Sequence, residues 1–289
     1  MKISMTLPTM AGGLDADRLS RWCRSVDDGP FHGLAVGERI GFDNLEMQTT
    51  LGFAAAATQR VRLASTLTVL PLHATAAAAK RLATLDVISG GRLDVVVGVG
   101  GRDEDYRLNQ RTFAARHQRL DDQVADLRAI WNGERFDGAQ IGPQPVQVGG
   151  PPLFASAMGP LSIARAAQWA DGNMGFSLSP TTDDHRAAVT ALQEAWVAAG
   201  RSTPPYLSTS FWYSLADDPV QELHEYARRY LSVFGDEVAD WMASQCTAAG
   251  PEAVAEAVAR CASAGYDEVY LVPCTIQPDV VAQTTTILT

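Results

Sequence analysis

Glu38 and Arg39 close a short apolar run, Leu34-Ala-Val-Gly. A carboxylate at the end of a buried strand is costly unless something pairs with it, so Glu38 is either tied to Arg39 or turned toward a ligand. The strand-end position favours the ligand. Arg39 stays protonated near neutral pH, which makes it a poor general base but a good holder of an anionic substrate. A second candidate region is Gly98-Val-Gly-Gly101, where Gly100 and Gly101 let a backbone without side chains approach a ligand closely. Arg102, Asp103 and Glu104 follow it directly. A third is 155–160, Ala-Ser-Ala-Met-Gly-Pro, which opens a helix whose first amides and dipole suit a phosphate. His73 and His117 read as structural histidines, the latter on an apolar stripe.

These groups need a scaffold, and 61–106 supplies its centre. Residues 61–70 are β-branched and apolar on both faces, as in a parallel strand covered on both sides. Leu82, Leu85 and Ile88 recur at spacing three over 76–88, and Gly90-Gly91 stands where a left-handed helix cap belongs. Residues 93–99 form the next apolar strand. The same reading gives strands at 2–7, 34–38, 145–149, 170–176, 206–215 and 267–273. Helices fall around Leu19 to Val26, at 51–59, 113–131 and 161–169, around Val189 to Trp196 and Val220 to Leu231, and at 251–264. Eight strands, each but the last followed by helix and none paired as a hairpin, predict one (β/α)8 TIM barrel over 1–289. Gly98-Val-Gly-Gly101 is only part of a dinucleotide fingerprint, because Asp103 stands where its last glycine belongs.

With 46% hydrophobic and 19% charged residues, the 289-residue chain can bury a large core. A net charge of -10 without any basic run argues against nucleic acid as a partner. Cys23, Cys246, Cys261 and Cys274 are scattered, signalling neither a metal site nor a disulfide framework. No apolar stretch approaches the roughly 18 residues a membrane span needs, and the chain starts without a charged-then-apolar leader, so a cytoplasmic protein is expected.

Several stretches, taken in order, resemble the luciferase-like flavin-dependent oxidoreductases, the bacterial luciferase superfamily that includes many users of the deazaflavin coenzyme F420. They are 34–40, 82–100, 116–131, 170–172 and 250–265, spanning nearly the whole chain. The resemblance implies the barrel reached above by counting strands, with its site at the C-terminal strand ends. It implies an enzyme moving a hydride or activating oxygen at the cofactor ring for a small organic substrate. F420 is favoured over FMN because the loop after Gly98 resembles that of F420 users. It places the ring against Ser65, Thr66, Gly100, Gly101 and Ser177, with a non-prolyl cis peptide at Ser65-Thr66. The phosphate falls on the amides of 149–159, with Gly149, Gly150, Ser156, Met158 and Gly159 as contacts. Relatives carry a proton-transferring His where this chain has Arg39; the resemblance leaves Arg39 either to hold an anionic substrate or to stabilise a reduced flavin's negative charge, and Glu38 or Asp103 to move the proton, a solvated loop acid being the plainer reading of Asp103. A barrel that binds flavin without catalysis is the alternative, and a second copy of the chain is a candidate partner.

Overall fold

The computed structural model describes residues 1–178 and 181–288. Its strands are β1 (Lys2–Thr6), β2 (Gly33–Val36), β3 (Arg62–Val69), β4 (Leu93–Gly98), β5 (Leu153–Ala155), β6 (Gly172–Met174), β7 (Tyr206–Tyr213) and β8 (Glu268–Pro273). Each pairs in parallel with the next, and β8 returns to β1 through Lys2 opposite Glu268 and Met5 opposite Leu271, so the sheet closes into an eight-stranded barrel. The α-helices in chain order are α1 (Ala16–Asp28), α2 (Met47–Ala57), α3 (Thr75–Ile88), α4 (Asp103–Leu108), α5 (Arg116–Trp131), α6 (Pro160–Trp169), α7 (Thr182–Ala198), α8 (Pro219–Leu231), α9 (Asp236–Ser244), α10 (Pro251–Ala264) and α11 (Asp279–Leu288). This is the (β/α)8 TIM barrel that strand counting predicts.

Alternation along the strands sorts side chains into two cores. Leu34, Val36, Leu63, Val95, Val97, Leu207, Phe211, Val269 and Leu271 face outward and join the helices in the main core. Burying each such side chain contributes about 1.5–3 kcal/mol. Ala35, Ala64, Val96, Met174 and Tyr270 face the lumen and form a separate cluster, with Leu67 and Phe154 packed against it. Helix ends follow local chemistry: Asp15 accepts the Arg18 amide at 2.8 Å, and α10 runs from Pro251 to a left-handed Gly265.

Two expectations need correction. Residues 145–149 are loop, and the fifth strand begins only at Leu153. Val146 and Val148 imitate strand alternation, but both are exposed and no strand pairs with them; the buried Asp86 takes the amides of Val146 and Gln147 instead. The non-prolyl cis peptide joins Thr66 and Leu67, one bond beyond the expected Ser65-Thr66. The β3–β4 register also shifts between Ser65 and Thr68. Three α-helices went unread in the sequence: α4, whose six residues are too few to show a period, together with α9 and α11.

Candidate active site

At the C-terminal ends of the strands the lumen opens into a mouth with a floor of small residues. Strand parity directs Thr6, Gly37, Thr66, Gly98 and Ser210 toward it. Past Arg62, only Thr66 and Leu67 in β3 keep open surface, and that surface lies in the mouth. Close approach explains the glycines. A Cβ on Gly37 would stand 3.0 Å from the Thr66 carbonyl oxygen, and one on Gly100, whose φ is +63°, would stand 2.9 Å from Val69 Cγ1. One wall is aromatic: Trp212 meets Phe176, Tyr226 and Tyr230 edge-on at centroid distances of 4.6, 5.8 and 5.1 Å. Of the neighbours Phe211 and Trp212, it is Trp212 that faces the mouth, while Phe211 packs into the outer core.

Glu38 does not pair with Arg39. Alternation puts Gly37 and Arg39 on the lumen side and Glu38 on the other. Its Oε2 accepts the Val69 amide at 2.6 Å and its Oε1 the His73 ring at 2.8 Å. Arg81 donates to His73 Nδ1 at 3.1 Å, which leaves Nε2–H as the donor to Glu38. Both carboxylate oxygens are therefore engaged, and Glu38 with His73 ties the end of β2 to the end of β3 and the start of α3. His73 is structural in this sense, yet it holds the segment that carries Arg39.

Arg39 is 7% exposed, its guanidinium stacked 3.9 Å from the Phe42 ring centroid and 5.0 Å from that of Tyr230. Nη1 donates to the Tyr230 carbonyl at 2.9 Å, close to the C-terminus of α8. Nε has no partner. Burial, followed by the neighbouring charge of Arg102, lowers the Arg39 pKa, against the opposing pull of Asp105 and Glu104. A guanidinium nevertheless remains charged at neutral pH.

The remaining candidates divide. Thr66, Gly100, Gly101 and Ser177 lie at the mouth, the Ser177 amide donating to the Ser210 carbonyl at 2.9 Å. Ser156 is half-buried and lines a 40 Å³ cavity with Ser162, Arg165 and His117, while Met158 and Gly159 are exposed at the start of α6. Ser65 is fully buried on the outward side of β3, its hydroxyl 3.3 Å from the Val96 carbonyl oxygen, so it cannot face the mouth. Gly149 and Gly150 precede β5 and lie at the opposite end of the barrel. A Cβ on Gly150 would stand 2.2 Å from Trp131, so packing accounts for that glycine. Asp103, in the first turn of α4, is exposed and paired with Arg107 at 3.1 Å, the solvated acid of the plainer reading. The buried acid of this loop is Asp105, whose Oδ1 accepts the amides of Ile40 at 3.2 Å and Gly41 at 2.8 Å. Next to it, the Tyr106 hydroxyl donates to the Val99 carbonyl at 2.5 Å, so α4 braces both the Arg39 loop and the end of β4. Burial pushes the Tyr106 hydroxyl up to about 12, so it stays a donor. Phe42 and Tyr230 were missed because they come from different elements, with no shared spacing to reveal them.

A closed parallel barrel with an open, aromatic-walled mouth at its strand C-termini has the architecture of a TIM-barrel enzyme. The sequence profile of the luciferase-like monooxygenases matches residues 1–240, and the chain belongs to that family. An uncharacterised protein of Mycobacterium tuberculosis is 31% identical over 172 residues, covering 56% of this chain and 60% of that protein. The chain spans about three fifths of the length of these curated relatives. Among solved structures, an F420-dependent secondary alcohol dehydrogenase bound to an F420-acetone adduct superposes with a TM-score of 0.82 at 18% identity, over 99% of this chain and 97% of the other. The FMN-bound oxygenating constituent of 3,6-diketocamphane monooxygenase from a Pseudomonas putida plasmid gives 0.72 at 14% identity, over 94% and 91%. At these identities the structures establish the shared fold.

Proposed function

We propose that the protein is a flavin- or deazaflavin-dependent oxidoreductase that binds its cofactor across the barrel mouth, with F420 preferred over FMN. The observation that carries this is the set of strand ends: small side chains and closely packed glycine backbone beside an aromatic wall offer a planar tricyclic ring backbone to approach and apolar surface to lie on. The phosphate end suits the start of α6, where Pro160 has no N–H and the Gly159 amide is held by Ser162 Oγ at 3.1 Å, leaving the amides of Leu161 and Ser162 directed outward. Bound there, such a cofactor supplies hydride transfer or, when reduced, activation of oxygen. The chain's own residues hold the ring and fix a positive charge beside it. Thr66 and Leu67 shape the floor, Trp212 and Phe176 keep water from one side, and Glu38 with His73 fixes the strand end that carries Arg39. The preference for F420 rests on the likeness of the loop after Gly98 to that of F420 users.

Titrating the protein with FMN and with F420, oxidised and reduced, tests the reading through cofactor fluorescence and absorbance. F420 is expected to bind more tightly. Failure of every form to bind would refute the proposal. Gly159→Asp sets a like charge against the phosphate and should weaken cofactor binding by about tenfold. Unchanged affinity would move the phosphate away from α6.

A further inference from the structure

Three guanidiniums gather at one side of the mouth around two rings. Arg39 lies 3.9 Å and Arg229 4.8 Å from the Phe42 centroid; Arg102 lies 4.9 Å and Arg39 5.0 Å from that of Tyr230. They come from the loop after β2, the start of α4 and the last turn of α8. In a chain of net charge -10, no described carboxylate forms an ion pair with any of the three, although nine other arginine–carboxylate pairs exist among the described residues. Asp105 and Glu104 favour the Arg39 cation without pairing with it: Asp105 accepts the Ile40 and Gly41 amides, and the Glu104 carboxyl lies beside Gly41, 3.2 Å from where its Cβ would be.

Ring stacking and a carbonyl bond satisfy only part of this charge. The Tyr230 carbonyl takes one N–H of Arg39, and the Ala11 carbonyl takes one of Arg229 at 2.9 Å. The Nε atoms of Arg39 and Arg102 are both buried without a partner among the described residues. A buried donor left unmade costs about 1–3 kcal/mol, more when it is charged, so folding alone gives no reason to keep both.

We propose that Arg39, supported by Arg102, receives a carboxylate on the substrate, and that the substrate is a flat, apolar-bodied organic acid whose body lies along Phe42, Tyr230 and Trp212. This rests on the oxidoreductase reading above and names its substrate class. A guanidinium matches a carboxylate through paired N–H donors, and the adjacent rings suit an aromatic body. Arg229, on the outer side of Phe42, adds attraction at the entrance.

Benzoate and its neutral counterpart benzamide are the probes, titrated calorimetrically into the full chain. Benzoate is expected to bind at least about tenfold more tightly, with Arg39→Met abolishing the difference and Arg39→Lys retaining part of it. Should Arg39→Met not fold, Arg102→Gln, at a less deeply buried position, must narrow the difference. Equal binding of the two probes, or a preference that survives both Arg39→Met and Arg102→Gln, overturns the proposal. Repeating the titrations with FMN or F420 present separates the two sources of the anion. Benzoate still binding beside the cofactor supports a substrate site. Displacement of benzoate by the cofactor, with Arg39→Met weakening the cofactor itself, assigns the charge to the cofactor's own acidic group and also overturns the proposal. A benzoate preference that depends on Arg39 in a chain that binds neither cofactor keeps the anion site while removing the oxidoreductase reading.

Discussion

At the N-terminal end of the barrel Arg62 donates Nε to Asp94 at 2.6 Å, Glu268 accepts from Ser4 and from the Tyr206 hydroxyl, and the Lys2 ammonium lies 5.3 Å from the Tyr206 ring centroid. Asp94, the first cause of the raised Arg62 pKa, stabilises its cation. At the C-terminal mouth Arg39, Arg102 and Arg229 lack such partners among the described residues. Both ends bury charge in the same barrel, so the difference is one of closure. The lower network satisfies itself and plugs the lumen, whereas the upper one presents unused donors to whatever enters.

The largest effect that tests this contrast is steric. Gly172 is at the start of β6, where a Cβ would stand 1.9 Å from the Tyr206 carbonyl oxygen, a backbone atom that cannot swing away. Gly172→Ala should cost about 3 kcal/mol or more, or prevent folding, in urea denaturation. Little change would mean that the closed end is looser than its packing indicates. Asp94→Ala comes next. Removing one partner of a largely buried pair strands the other charge, and the expected loss is about 3 kcal/mol, at the low end of the range for such pairs because Arg62 keeps 28% of its side chain exposed. The smallest effect is expected at the mouth. Arg39→Met loses a carbonyl bond and ring stacking but also removes a buried, unpaired charge, so stability should move by no more than about 1 kcal/mol. If denaturation showed Arg39→Met to be as costly as Asp94→Ala, the mouth arginine would be a structural cap of α8, and the contrast between the two ends would fail.

The strands and most helices were legible because period and punctuation are local. The alternating apolar runs, the 3.6-residue stripe through Leu120, Val124, Leu127 and Trp131, and Gly90-Gly91 after α3 each report a short-range constraint. The one false strand, 145–149, shows the limit. Val146 and Val148 alternate correctly, but a strand needs a neighbour to take its amides, and the buried carboxylate of Asp86, sixty positions away, took them first. The position of Thr66, Gly100, Gly101 and Ser177 at the mouth was legible because strand ends are, and Ser65 was misplaced because the face of a residue turns over with one step of register. That Gly149 and Gly150 belong to the closed end follows from where β5 starts.

The sequence by itself determined the barrel, its family resemblance and the presence of an arginine at the end of the second strand, since these depend on residue type and spacing. Only the tertiary structure decided the partners. It joined Glu38 to His73 rather than to Arg39, made Asp105 rather than Asp103 the buried acid of its loop, and gathered Arg39, Arg102 and Arg229 around Phe42 and Tyr230 from segments nearly two hundred positions apart. Pairing energies between charges depend on distance and burial, and neither is written along the chain.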